Sequence, residues 1–410
     1  MATFVDALAG ARTLQAFRSR DFRLVWSGQT VSLIGNAAFL VAVGWKTLEI
    51  TGSAGSLGVV LMAEGLAMLT TLLIGGALAD RYERRKLMIL SDVARLGVVA
   101  ALAFTDATGH LTFPLLIAFA VGVGLGDGFF HPAFGGIVPL VVEMPYIASA
   151  NAMIGISRQM SFMIGPALAA GLYGLTGSAT VFAFDAGSFA VSLFLLWLAR
   201  PRAIEPEPGE GTVKDILAGA RYVASIPWLW VTILLAAVVL MLVMAPLQAL
   251  MPQLIKDNFD RGVGAYGLIF TFQAAGMVLG TIIFGQTNPR RHRVVLTYVA
   301  WAINDVCTIF FALSHQYEIA TALVFVRGGL IAYGIAIWET VLMERVPENR
   351  LSRVISLDFF GSLGLTPIGY ALAAVLAGVF SPSAIIVAGA SIAFVLWLAP
   401  LSLRSVREAA

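Results

Sequence analysis

Twelve long apolar runs leave this chain few ways to fold. They fall at about 22–48, 55–79, 87–106, 113–135, 150–173, 179–199, 227–251, 264–285, 294–313, 318–341, 355–379 and 382–403. Each is long enough to cross a hydrocarbon core, which takes about 20 apolar residues in a helix. Backbone N–H and C=O groups inside a bilayer must be bonded within their own segment, so runs of this length are expected to be helices. The charged fraction of 12% supports the membrane reading, because a soluble domain carries about 25%. The net charge of +2 points to no nucleic-acid partner, and the single Cys307, inside an apolar run, excludes a disulfide framework.

Position matters more than the sum of charge. With the amino terminus inside, the inner segments hold twenty basic residues, grouped at Arg12–Arg23, Arg81–Lys86, Arg200–Arg221, Arg290–Arg293, Arg345–Arg353 and Arg404–Arg407. The outer segments hold three, Lys46, Lys256 and Arg261. That bias predicts a multi-pass membrane protein with both termini cytoplasmic. The first residues, Met1 to Arg23, lack a short apolar core followed by a small-residue cleavage site, so no signal peptide is expected there.

The sharpest local signal is Gly76-Ala-Leu-Ala-Asp80-Arg81-Tyr-Glu83-Arg84-Arg85-Lys86, a charged hinge between the second and third runs. Asp80 is the odd member, since an anion at a helix carboxyl end faces the negative end of the dipole and needs a cation or another helix's amino end. The pattern resembles the loop signature G-x-x-x-D-R-x-G-R-R of the major facilitator superfamily. Gly76, Asp80, Arg81, Arg84 and Arg85 match; Glu83 replaces the usual glycine, which predicts a looser or partly helical turn. Trp338-Glu-Thr, Val346-Pro-Glu and the run from Arg353 to Ser362 are similar to the bacterial branch that holds drug, macrolide and siderophore exporters.

The resemblance implies an all-α membrane protein of twelve transmembrane helices in two six-helix bundles. The halves are expected at 1–199 and 225–410, joined by a Pro- and Glu-rich cytoplasmic linker at 200–224. A weak internal echo supports two halves: Arg84-Arg85-Lys86 with Arg290-Arg291-His292, Pro139 with Pro347, and Gly165-Pro166-Ala167 with Thr366-Pro367-Ile368. Gly165-Pro166 is also similar to the glycine–proline signature of the fifth helix of facilitator antiporters; its physical content is a small-residue packing face on a helix softened by proline.

Ionisable groups within apolar runs are costly unless they face a cavity or one another, so each is a functional candidate. For proton coupling these are Glu64, Asp127, His131, Arg158, Asp305, Arg327 and Glu339. Asp127 and His131 are four apart and share a helix face, suited either to passing a proton or to pinning the fourth run on the fifth. Arg158, about 12 Å inside the fifth run, demands a partner, and Asp127 is the expected one. Asp92 and Arg95, three apart, read as a local salt bridge. The family more often carries its intramembrane arginine in the fourth helix, where this chain has none; Arg327 stands in the tenth run instead.

Gating candidates are Gly76, Asp80, Arg81, Arg84, Arg85 and Asp358. Asp80 is expected to dock on the amino end of the eleventh run near Ser352 to Ile355, with Arg81 or Arg85 on Asp358. In the first run, Gln29, Ser32, Asn36 and Phe39 fall on one helical face; Met241, Met244, Gln248 and Met251 repeat that spacing in the seventh. In the family these helices line the central cavity, so Gln29, Asn36, Phe39, Met241, Met244 and Gln248 are substrate-binding candidates, with plain packing the alternative.

No phosphate-binding loop, zinc cluster or nucleophile elbow is present, so no enzyme activity, metal or cofactor is expected. The reading is a monomeric secondary transporter in the lipid bilayer, exporting hydrophobic or amphipathic small molecules in exchange for protons. A metabolite uptake permease or uniporter, or a transporter-like sensor without turnover, are the alternatives.

Overall fold

The computed structural model describes residues 12–202, 220–287 and 289–402, and no strand occurs among them. A 3-10 turn at Arg12–Arg18 precedes α1 (Arg20–Thr51), α2 (Ser56–Arg81), α3 (Arg84–Ala107), α4 (Phe113–Val141), α5 (Ile147–Thr176) and α6 (Ser178–Leu198). There follow α7 (Pro227–Phe259), α8 (Val263–Thr287), α9 (Arg293–Leu313), α10 (Tyr317–Arg345), α11 (Glu348–Leu363, resuming at Thr366–Leu376) and α12 (Pro382–Leu398). Among the described residues, eleven helices are long and apolar enough to cross a membrane. α5 has the length, 30 residues, but is not one of the eleven, because Asn151, Ser157, Arg158, Gln159 and Ser161 interrupt its apolar pattern.

Local chemistry sets the ends. Ser19 caps α1 by accepting from the Phe22 amide, and Gly52, at φ 61, closes it in the left-handed conformation. Ser381 caps α12 in the same way, with Pro382 in the first turn. Only Tyr82 and Glu83 separate α2 from α3, so the turn is tighter than Glu83 suggested. α7 runs through a π-helical turn at Leu240–Met244. Pro246 has no N–H to offer the Leu242 carbonyl, and the wider turn absorbs the lost bond. Pro367 does the same job more bluntly by interrupting α11.

Contacts divide the chain into two compact units, one of Met1–Gly52 with Ala63–Glu207 and one of Ser53–Met62 with Pro208–Ala410. Of the linker expected at 200–224, residues 203–219 lie outside the described residues, and 220–224 are helical. In the first unit α1 packs on α5 and α6, and α3 on α4 and α6. In the second, α10 packs on α8 and α9, and α9 on α12.

Glycine seams bring helix pairs to backbone contact. Gly124 of α4 lies against the Glu64 carbonyl of α2, and Gly328 of α10 against the Gln273 carbonyl of α8; a Cβ at either would clash. At Gly165 a Cβ would stand 2.6 Å from the Ala37 side chain of α1. The glycine–proline motif therefore seats α5 on α1.

Candidate functional site

α3 and α4 hold the most elaborate polar cluster of the first unit. Asp92 and Arg95 lie one turn apart on α3, and both are buried, at 0% and 2% exposure. Arg95 Nη2 donates to Asp92 Oδ1, the local salt bridge expected from sequence. Its Nη1 donates to Asp127 Oδ1 of α4 at 2.7 Å. Ser192 of α6 donates to Asp92 Oδ2 at 2.8 Å, and Gln29 of α1 donates to the Ser192 hydroxyl at 2.9 Å. Four helices thus contribute to one hydrogen-bonded chain. The Phe130 and Phe189 rings flank the guanidinium, with centroids 4.1 and 4.6 Å from Cζ. Gly126 leaves room for the arginine stem, since a Cβ there would meet Arg95 Cγ at 2.5 Å.

One guanidinium therefore serves two carboxylates in a low-dielectric bundle. With both ionised the trio carries a net charge of −1; one bound proton makes it neutral. Asp127 is the member that reaches open space, its side chain 19% exposed against 0% for Asp92. Asp185 is buried nearby in α6 and accepts from the Ser188 hydroxyl at 3.3 Å. Glu64 of α2 is half-buried and within electrostatic range of Asp127.

Several sequence expectations need correction here. Asp127 pairs with Arg95, not with Arg158, which is exposed on α5. Spacing along one helix had assigned Arg95 wholly to Asp92, and a planar guanidinium has donors for a second carboxylate on the neighbouring helix. His131 shares the Asp127 face but is exposed, within electrostatic range of both Asp127 and Arg158. Gln29 is buried and engaged by Ser192, and Phe39 packs on Phe182 at 5.6 Å, so neither lines open space. Periodicity found their shared face but not the helix it packs against, which is α6. Asn36, Met241 and Gln248 are half-buried and Met244 is exposed. Tyr370 donates to Gln248 Oε1 at 2.6 Å.

The hinge is tied into its own unit. Arg84 donates to the Gly136 carbonyl of α4. Arg85 donates to the Leu196 and Trp197 carbonyls at 2.8 and 2.5 Å, capping the end of α6. In the second unit, Asp358 accepts from the Trp338 indole at 3.1 Å. Among the described residues nothing stands within 4 Å of the Gly76 Cβ position. The side chains of Asp80 and Arg81, and those of residues 348–353, lie outside the described residues.

In the second unit, Asp305 of α9 and Arg327 of α10 are buried, at 0% and 3% exposure. Asn304 donates to Asp305 Oδ1 at 3.0 Å. Glu339 is exposed on α10, within electrostatic range of Asp358.

Buried charge held between inner helices of a polytopic bundle is the layout of a membrane transporter. The family model described as "Transmembrane secretion effector" matches residues 11–409. The chain belongs to that family, within the siderophore and drug exporter branch of the major facilitator superfamily. It is 24% identical over 368 residues to the enterobactin exporter EntS of Shigella boydii serotype 18, covering 88% of this chain and 86% of that one. The same identity and coverage hold for EntS of Escherichia coli. In fold it resembles the inward-facing, unoccupied bacterial homologue of the human lysosomal transporter Spinster, with TM-score 0.72, 15% identity and coverage of 93% and 97%. A bacterial homologue of the iron transporter ferroportin gives TM-score 0.74 at 16% identity, with coverage of 93% and 99%.

Proposed function

We propose that this protein is a secondary active exporter of amphipathic small molecules, driven by proton antiport, with twelve spans in two bundles and both termini in the cytoplasm. α5 is the twelfth span in this reading; of its polar residues Ser157 and Ser161 are buried, and Thr30 of α1 donates to the Ser157 hydroxyl at 2.9 Å. The observation that carries the coupling reading is Arg95 shared between buried Asp92 and partly open Asp127. A proton on Asp127 neutralises the trio and frees Arg95 to close on Asp92; its loss restores the two-way bridge. That gives α3 and α4 two discrete arrangements selected by one proton. The relatives' name, enterobactin exporter, supports export over uptake.

Asn36, Met241, Met244 and Gln248 are the wall residues retained for substrate, their thioethers and amides suited to varied amphipathic ligands. Asp80, Arg81 and Asp358 retain a gating role in this reading. Uphill accumulation of ethidium or enterobactin in everted vesicles tests it. Accumulation should need an imposed proton gradient and vanish with an uncoupler; accumulation indifferent to the uncoupler would refute proton antiport.

A further inference from the structure

The second unit holds a cluster that the coupling reading does not use. Arg327 of α10 leaves Nε and Nη1 without a hydrogen-bond partner, and facing α9 leaves Asp305 Oδ2 and Asn304 Oδ1 without one. All four atoms are buried. Asp305 and Arg327 feel each other's charge. Among the described residues, however, neither makes an ion pair within 4.0 Å. A buried guanidinium and a buried carboxylate do not stay unbonded inside a bundle, because each orphaned polar atom forfeits the bonds it had in water.

The balance of the orphans selects what would satisfy them. Two are donors and two are acceptors, and the formal charges of Arg327 and Asp305 cancel. An anion would satisfy Arg327 and be repelled by Asp305; a cation would do the reverse. Water alone both donates and accepts, and a buried water characteristically makes about three such bonds. We propose that Asp305, Asn304 and Arg327 enclose a buried hydration site between α9 and α10, in which water bridges the two charges into one compensated unit. The inference stands apart from the proton-antiport reading, since it needs neither transport nor a gradient.

The chain carries its own reporter. Cys307, its single cysteine, is half-buried on α9 and within electrostatic range of Arg327. Hydroxyl-radical footprinting of the unmodified protein in membranes, in which radicals form from bound water in place, should oxidise Cys307; a thiol left unoxidised would mean a dry interface and overturn the proposal. Thermal midpoints of the purified protein give the second reading. Asp305→Asn and Arg327→Gln should each lower the midpoint by about 5 °C or more, or reduce the folded yield where the variant is too weak to melt. The double variant D305N/R327Q should recover most of that loss. Losses that simply add in the double variant would show two independent residues and overturn it. So would a midpoint that rises when chloride replaces gluconate, because that response belongs to an anion site.

Discussion

The third and fourth helices of the two units solve the same problem in opposite ways. In α3 and α4 the arginine stands on the first helix and the carboxylate on the second; in α9 and α10 the order is exchanged. Arg95 closes directly on Asp127 at 2.7 Å and on Asp92, with two aromatic rings against its faces. Among the described residues Arg327 has no such bridge and leaves two nitrogens unbonded. The first unit carries excess negative charge that one proton can cancel, whereas the second pair is balanced as it stands. A site meant to trade protons with water gains from an uneven count, and a site meant to hold two helices together does not.

The largest effect should follow removal of the shared cation. Arg95→Gln strands two carboxylates and loses two ring contacts, for a cost of about 3–5 kcal/mol and about 1 kcal/mol more from the rings. Folded yield by size exclusion should fall further than for Arg327→Gln; the reverse order would break the comparison. Next come the seams. Gly124→Ala and Gly328→Ala should each cost about 1–3 kcal/mol by forcing packed helices apart. Gly97→Ala, with nothing within 4 Å, should be neutral or stabilising in the same melting assay. A smaller loss, about 1 kcal/mol, is expected for Arg85→Gln through the uncapped end of α6. Least of all is Ser192→Ala, at about 1 kcal/mol or below, because Arg95 keeps its hold on Asp92.

Much of this architecture was legible in the sequence, for reasons that are themselves physical. A bilayer sets the length of every span, so apolar runs such as 294–313 and 382–403 lie within a residue of α9 and of the helical stretch ending at Ser402. Asp92 and Arg95 were readable because a three-residue spacing fixes who meets whom on one helix. Pairings between helices were not readable in that way. The depth of Arg158 in the fifth run points to Asp127 as its partner, yet the rotation of α3 about its axis delivers Arg95 to Asp127 instead. Gly126, the residue that makes room for the arginine stem, was the available clue. Gln29 and Phe39 failed for the same reason: a helical stripe identifies a face, and only packing says whether α6 covers it.

The central claim is that the proton is carried at Asp127 through its bond to Arg95, and one comparison tests it most directly. Uphill efflux and downhill substrate exchange are measured side by side for the wild type and Asp127→Asn in vesicles matched for protein content. The amide keeps the size and can still accept from Arg95, but it cannot exchange a proton. The account predicts that Asp127→Asn loses gradient-driven efflux while retaining downhill exchange at near wild-type rates. Uphill efflux that survives in Asp127→Asn would contradict it and leave the Asp92–Arg95–Asp127 cluster as scaffolding for the first unit.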